Sequence, residues 1–230
     1  MSKKIKVIAF DADDTLWVNE PYFQATEHQF CLLLSQYMEE KQLSETLLQT
    51  EIRNIPIYGY GIKGFMLSMI EASLQVSDNQ VDTTTLSKII ELGQAMLNQK
   101  IELLEGVEDV LKSLHGKYKL VLATKGDLLD QERKLQRSGL EKYFHHIEIM
   151  SEKDEKGYEK LIKHLDIEPY EFLMIGNSPK SDILPVLNIG GHAFHIPYHT
   201  TWALEKVEGN IKHENFKHFD KIMDVKSSIL

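Results

Sequence analysis

Short apolar runs that stop abruptly at polar or small residues recur along this chain, and they constrain its fold more than any other feature. Ile5–Phe10 stops at Asp11, Leu120–Ala123 stops at Thr124-Lys125-Gly126, and Phe172–Ile175 stops at Gly176-Asn177-Ser178. Ala193–Ile196, after Gly190-Gly191, makes a fourth. Runs of this length read as buried parallel strands. Between them lie stretches with helical spacing, such as Val107, Val110, Leu111 and Leu114. Strand and helix in alternation predict an α/β fold with a doubly wound parallel sheet.

One interval breaks the alternation. From Trp17 to Glu102 the apolar residues recur only at helical spacing, as in Phe30, Leu33, Leu34, Tyr37 and Met38. An insertion of roughly 85 residues is too long for a loop in a compact domain. The expected organisation is a core of residues 1–16 and 103–230 with a helical domain, 17–102, inserted after the first strand. With 230 residues the chain can bury a sizeable core, and its only cysteine, Cys31, excludes internal disulfides and cysteine-built zinc sites. A net charge of −9 argues against nucleic acid polymers and anionic membranes as partners. The N-terminal apolar run is shorter than a signal-peptide core, and no window suits a membrane span, so a soluble cytoplasmic protein is expected.

Ligands of open parallel sheets bind beyond the carboxyl ends of the strands. Those ends carry Asp11-Ala12-Asp13-Asp14-Thr15, then Thr124-Lys125-Gly126, then Asn177 and Asp182, with Lys156 in a charged stretch between. Carboxylates, hydroxyls and a lysine suit a phosphate and a hard divalent cation. One of Asp11 and Asp13 can stay ionised and attack phosphorus, while the other gives a proton to the leaving oxygen and later takes one from water. The plain alternative is that Asp13 and Asp14 cap a turn or helix. Thr124, Lys125 and Gly126 are candidates to hold the phosphate, and Lys156 to offset its charge, with Lys153 its main competitor. Asp182 suits Mg²⁺.

In this set the chain resembles the haloacid dehalogenase-like hydrolases. The first motif stands as Phe10-Asp11-Ala12-Asp13-Asp14-Thr15-Leu16; Thr124, Lys156 and the Gly176–Asp182 segment match the other three over residues 5–200. The resemblance implies a Rossmann-like core with a helical cap, Asp11 as nucleophile and Asp13 as acid/base. It also implies Mg²⁺ at Asp11, Asp13, Asn177 and Asp182. Aspartate at 13 favours the phosphatase branch acting on a small phosphorylated metabolite, since a halide leaving group needs no proton. The fourth motif departs from the family's Gly-Asp-Ser by carrying Asn177, which lowers the charge available to a metal. A 2-haloacid dehalogenase and a member that binds phosphorylated ligands without turnover are the alternatives. A signalling receiver domain fits less well, because it lacks an insertion after its first strand.

Two further patterns read as structural. Gly59-Tyr60-Gly61-Ile62-Lys63-Gly64 satisfies a dinucleotide fingerprint, but no strand precedes it. It reads instead as a turn of the helical insertion, with Tyr58, Tyr60 or Lys63 able to reach substrate. His192, His195 and His199 read as ordinary histidines.

Overall fold

The computed structural model describes residues 5–207 and 209–230. The chain divides into two compact units: residues 1–20, 101–125 and 131–230 form one, and 21–100 with 126–130 form the other. Strand β1 (Val7–Phe10) opens the first unit. The second is built on helices α1 (Glu20–Leu34), α2 (Glu40–Tyr58), α3 (Ile62–Val76) and α4 (Thr83–Leu97). The first unit continues with α5 (Val107–Leu114), β2 (Lys119–Lys125), α6 (Leu128–Ser138), β3 (His146–Met150), α7 (Glu155–His164) and β4 (Phe172–Gly176). It closes with α8 (Leu184–Asn188), β5 (His192–His195), β6 (Phe216–His218) and α9 (Lys226–Ile229).

The sheet order is β3-β2-β1-β4-β5-β6 with every pair parallel. It is a Rossmann-like α/β fold, as the alternation predicts. Successive side chains of a strand face opposite ways, so each buried strand feeds two cores. Ile8, Phe10, Leu120, Leu122, Leu173 and Ile175 pack against α5 through Val107, Val110, Leu111 and Leu114. Val7, Ala9, Val121, Ala123, Phe172 and Met174 pack against Tyr158, Leu161 and Ile162 of α7 and Val186 and Leu187 of α8. Each fully buried large side chain contributes about 1.5–3 kcal/mol.

Strands β3 and β6 were not expected. Both lie at sheet edges, with a neighbouring strand on one side only. β3 reads His146-Ile147-Glu148-Ile149-Met150 and is mostly half-buried, so its apolar run is interrupted.

The chain leaves the core through a short clamp. Val18 N donates to Glu102 O (2.9 Å) and Leu104 N to Leu16 O (3.0 Å), which pairs the outgoing and returning segments. Asp14, at φ 61°, turns its carboxylate onto the amides of Asn19 and Glu20 at the start of α1. The capping role therefore falls to Asp14, where it suits the helix dipole. Burial pushes its carboxyl up to about 7.

In the helical unit Phe30, Leu34, Leu43, Leu47, Phe65, Met69 and Ile89 form a core of their own. The fingerprint glycines join α2 to α3. A Cβ on Gly64 would lie 2.8 Å from Gly59 O, so only glycine allows this approach. Lys63 pairs with Asp127 at 2.9 Å. No helix among the described residues is long and apolar enough to cross a membrane.

Candidate active site

The sheet order reverses between β1 and β4, and the crevice beyond their carboxyl ends is where such folds hold ligands. β1 delivers Asp11 there and β4 delivers Asn177; Asp11 N donates to Ile175 O at 2.9 Å. The hydroxyl of Thr15 lies 3.1 Å from Asp11 Oδ2 and 3.2 Å from Asn177 Oδ1. One donor thus gathers a carboxylate oxygen and an amide oxygen at a single point.

The other Asp11 oxygen takes a lysine, and that lysine is Lys153. Its Nζ lies 2.5 Å from Asp11 Oδ1 and 2.6 Å from Asp182 Oδ1, with its side chain only 1% exposed. Lys156, the residue expected here, is exposed in the first turn of α7. The reason is local: Asp154 caps α7 by accepting from Gly157 N (2.8 Å), so the helix begins at Glu155. Lys153 is left on the extended segment running from β3 towards the crevice, and Lys156 is carried away on the helix. Asp182, expected at the metal, has both oxygens engaged, one by Lys153 and the other by Ser178 N at 2.9 Å. It holds the lysine.

These groups set one another's charge. Burial pushes the Asp11 carboxyl up to about 7, against the opposing pull of Lys153. Burial also disfavours the charge on Lys153, but Asp11 and Asp182 outweigh it and hold the ammonium well above the ordinary lysine value.

Asp13 projects from the same strand end into a separate set of donors. Its Oδ1 accepts from Trp17 Nε1 (2.7 Å) and Lys134 Nζ (3.0 Å), and its Oδ2 from Gln131 Nε2 (2.8 Å). Thr124 is buried at the end of β2, its hydroxyl 3.2 Å from Lys125 O. Lys125 donates to Glu205 Oε1 (2.6 Å) and Ser181 Oγ (2.9 Å). Gly126 follows at φ 134°, a conformation that favours glycine.

Glu205, absent from the sequence reading, closes this side. Its Oε2 accepts from the hydroxyls of Ser178 and Ser181, the latter at 2.6 Å. Burial works to raise its carboxyl, but Lys125 and the two serines together hold it below the usual glutamate value. One carboxylate therefore ties the segment after β5 to the end of β2 and to the segment after β4. His195, from the end of β5, faces Asn177 O through Nε2 (3.0 Å) and His218 Nδ1 through Nδ1 (3.1 Å). Among the described residues no group of three or more His, Cys, Asp or Glu side chains is arranged to hold a metal ion.

The model of the haloacid dehalogenase-like hydrolases matches residues 5–190. A haloacid dehalogenase-like family hydrolase from Xanthomonas campestris is 34% identical, with 98% of this chain and 91% of that one covered and a TM-score of 0.87. The magnesium-bound HAD-hydrolase YfnB of Bacillus subtilis shares the fold at 17% identity, covering 98% and 99% of the two chains with a TM-score of 0.66. L-2-haloacid dehalogenase of Xanthobacter autotrophicus, with chloropropionic acid covalently bound, does so at 15% identity, 98% of each chain and a TM-score of 0.66. None of the curated proteins matches the chain. Motifs, sheet order and these likenesses agree, and the chain belongs to the haloacid dehalogenase-like hydrolases.

Proposed function

We propose that this hydrolase is a Mg²⁺-dependent phosphatase that cleaves a small soluble phosphomonoester through a phosphoaspartate on Asp11. The observation that carries this reading is Asp13, a carboxyl-bearing residue two positions after the nucleophile at the same strand end. An alkoxide leaving from phosphorus needs a proton, which a halide does not.

In the first half-reaction an Asp11 carboxylate oxygen attacks phosphorus, the ester P–O bond breaks, and Asp13 delivers a proton to the departing oxygen. In the second, water attacks phosphorus and yields its proton to Asp13, releasing inorganic phosphate and freeing Asp11. Lys153 offsets the negative charge gathered around Asp11, and Asp182 keeps that lysine in place. Asp11, Thr124 and Lys153 supply the polar groups nearest the reacting phosphate; Lys125, held by Glu205, steadies the loop beside them.

The residues fit a hard cation of modest affinity. Asp11 Oδ2 and Asn177 Oδ1 converge on Thr15, and both are oxygen donors of the kind Mg²⁺ prefers. Asp11, Asn177 and the carbonyl of Asp13 would hold it, and when bound it supplies positive charge to the phosphate oxygens. Asn177 contributes no charge of its own, so Asn177→Asp is expected to tighten Mg²⁺ binding by about tenfold or more. Calorimetric titration checks this, and unchanged affinity would remove residue 177 from the ligand set.

The reading is tested with p-nitrophenyl phosphate and a panel of metabolite phosphates, assayed in Mg²⁺ and in EDTA. Phosphate release in Mg²⁺ and none in EDTA is expected. Halide release from a 2-haloacid, with the phosphates untouched, would instead establish the dehalogenase reaction.

A further inference from the structure

We infer that Gln131 and Lys134 are positioning residues for Asp13, aiming its carboxyl group for proton transfer to the leaving oxygen; this rests on the phosphatase reading above. The two residues stand one turn apart on α6, so both side chains leave the same face of the helix. Gln131 Nε2 reaches Asp13 Oδ2 at 2.8 Å, and Lys134 Nζ reaches Asp13 Oδ1 at 3.0 Å. With Trp17 Nε1 at 2.7 Å on Oδ1, the carboxylate is gripped on both oxygens.

A purely structural purpose explains this grip poorly. The backbone beside Asp13 is already fixed, since Asp14 N donates to Trp17 O at 2.7 Å. Gln131 is buried, and its Oε1 has no hydrogen-bond partner among the described residues. Leaving a buried acceptor empty costs free energy, so the amide's orientation needs a reason. Turning the amide over would not help, because its Nε2 faces two acceptors, Asp13 Oδ2 and Lys125 O (3.0 Å). The side chain gives up one hydrogen bond to keep its NH₂ on Asp13. Lys134 is likewise fixed from behind by donating to Asn19 Oδ1 at 2.8 Å. The result is an acid/base group whose direction is set by α6, away from the loop that carries it.

The test separates proton delivery from every other role by leaving group. A p-nitrophenolate departs without a proton, whereas the alkoxide of glycerol phosphate does not. The ratio kcat/KM covers only the steps up to loss of the leaving group. Lys134→Met and Gln131→Leu are each expected to lower kcat/KM on glycerol phosphate about tenfold or more. On p-nitrophenyl phosphate they should stay within about threefold of wild type, which also shows that they fold. Lys134→Arg should keep the wild-type ratio between the substrates, and Asp13→Asn should show the same split more severely. Equal losses on both substrates, or none, with the split present in Asp13→Asn, would overturn the positioning role alone. A wild type that hydrolyses neither ester, or an Asp13→Asn variant without the split, would overturn the phosphatase reading and this inference with it.

Discussion

Lys153→Met is expected to abolish phosphate release and to lower stability by about 3–5 kcal/mol, the cost of stranding a buried charge by removing its partner. Here two charges are stranded. The ammonium lies between Asp11 and Asp182 at 2.5 and 2.6 Å, with the side chains of lysine and Asp182 each 1% exposed. Without it the two carboxylates meet in a site that water scarcely enters, and one must take up a proton or the loops must part. The substitution also removes the cation proposed to offset the charge of the phosphate. Lys156→Met, three residues on and exposed, should leave stability within about 0.5 kcal/mol. Urea midpoints and initial rates for the pair decide the matter; a silent Lys153→Met with an inactive Lys156→Met would reverse the assignment.

Asp11→Asn has the opposite balance. Loss of the proposed covalent nucleophile should cut the rate by a factor on the order of 10³ or more. The fold should gain, because an isosteric amide removes a desolvated carboxylate and leaves Lys153 paired with Asp182. The gain depends on pH with a definite sign. Burial lifts the Asp11 carboxyl from 3.8 to about 7, so the folded state holds a proton that the unfolded chain has released. That contribution is fully present below pH 3.8 and is lost as pH rises through about 7. Asparagine does not titrate there. In EDTA, the Tm of Asp11→Asn should therefore pull ahead of wild type across this window and level off above it. A gap that narrows with rising pH would contradict the burial of Asp11.

Some of this was legible in sequence because it rests on runs and periods. Strands β1, β2 and β4 are each built on an unbroken apolar run, and Asp11, Thr124 and Gly176-Asn177 come directly after those runs. The lysine was not, since Lys153 and Lys156 stand in one charged stretch and only the start of α7 separates their fates. Asp154, with its side chain on Gly157 N, was the signal that fixes that start. Two of the three partners of Asp13 lie on α6, 118 and 121 residues away in the chain, and nothing in their i, i+3 spacing announces a target. Glu205 sits in a short turn beyond the 5–190 span of the family's model. It belongs to no apolar period, and its value comes wholly from the lysine and serines it meets.

The segment Gly126–Asp130 bears on how such a chain can change over evolution. Because it groups with the helical unit, the backbone passes between the two units four times, after Glu20, Lys100, Lys125 and Asp130. A transplantable cassette would need only two passages. Lys63 closes on Asp127, and a Cβ on Gly61 would come within 3.2 Å of Asp127 N, so part of the helical unit's fit is encoded beyond β2. Residues 21–100 therefore cannot be exchanged between relatives as one block without carrying their counterpart at 126–130. Drift at Gly61 or Lys63 must be answered at Asp127, a coupling across more than sixty positions that binds the helical insertion to the loop following Thr124.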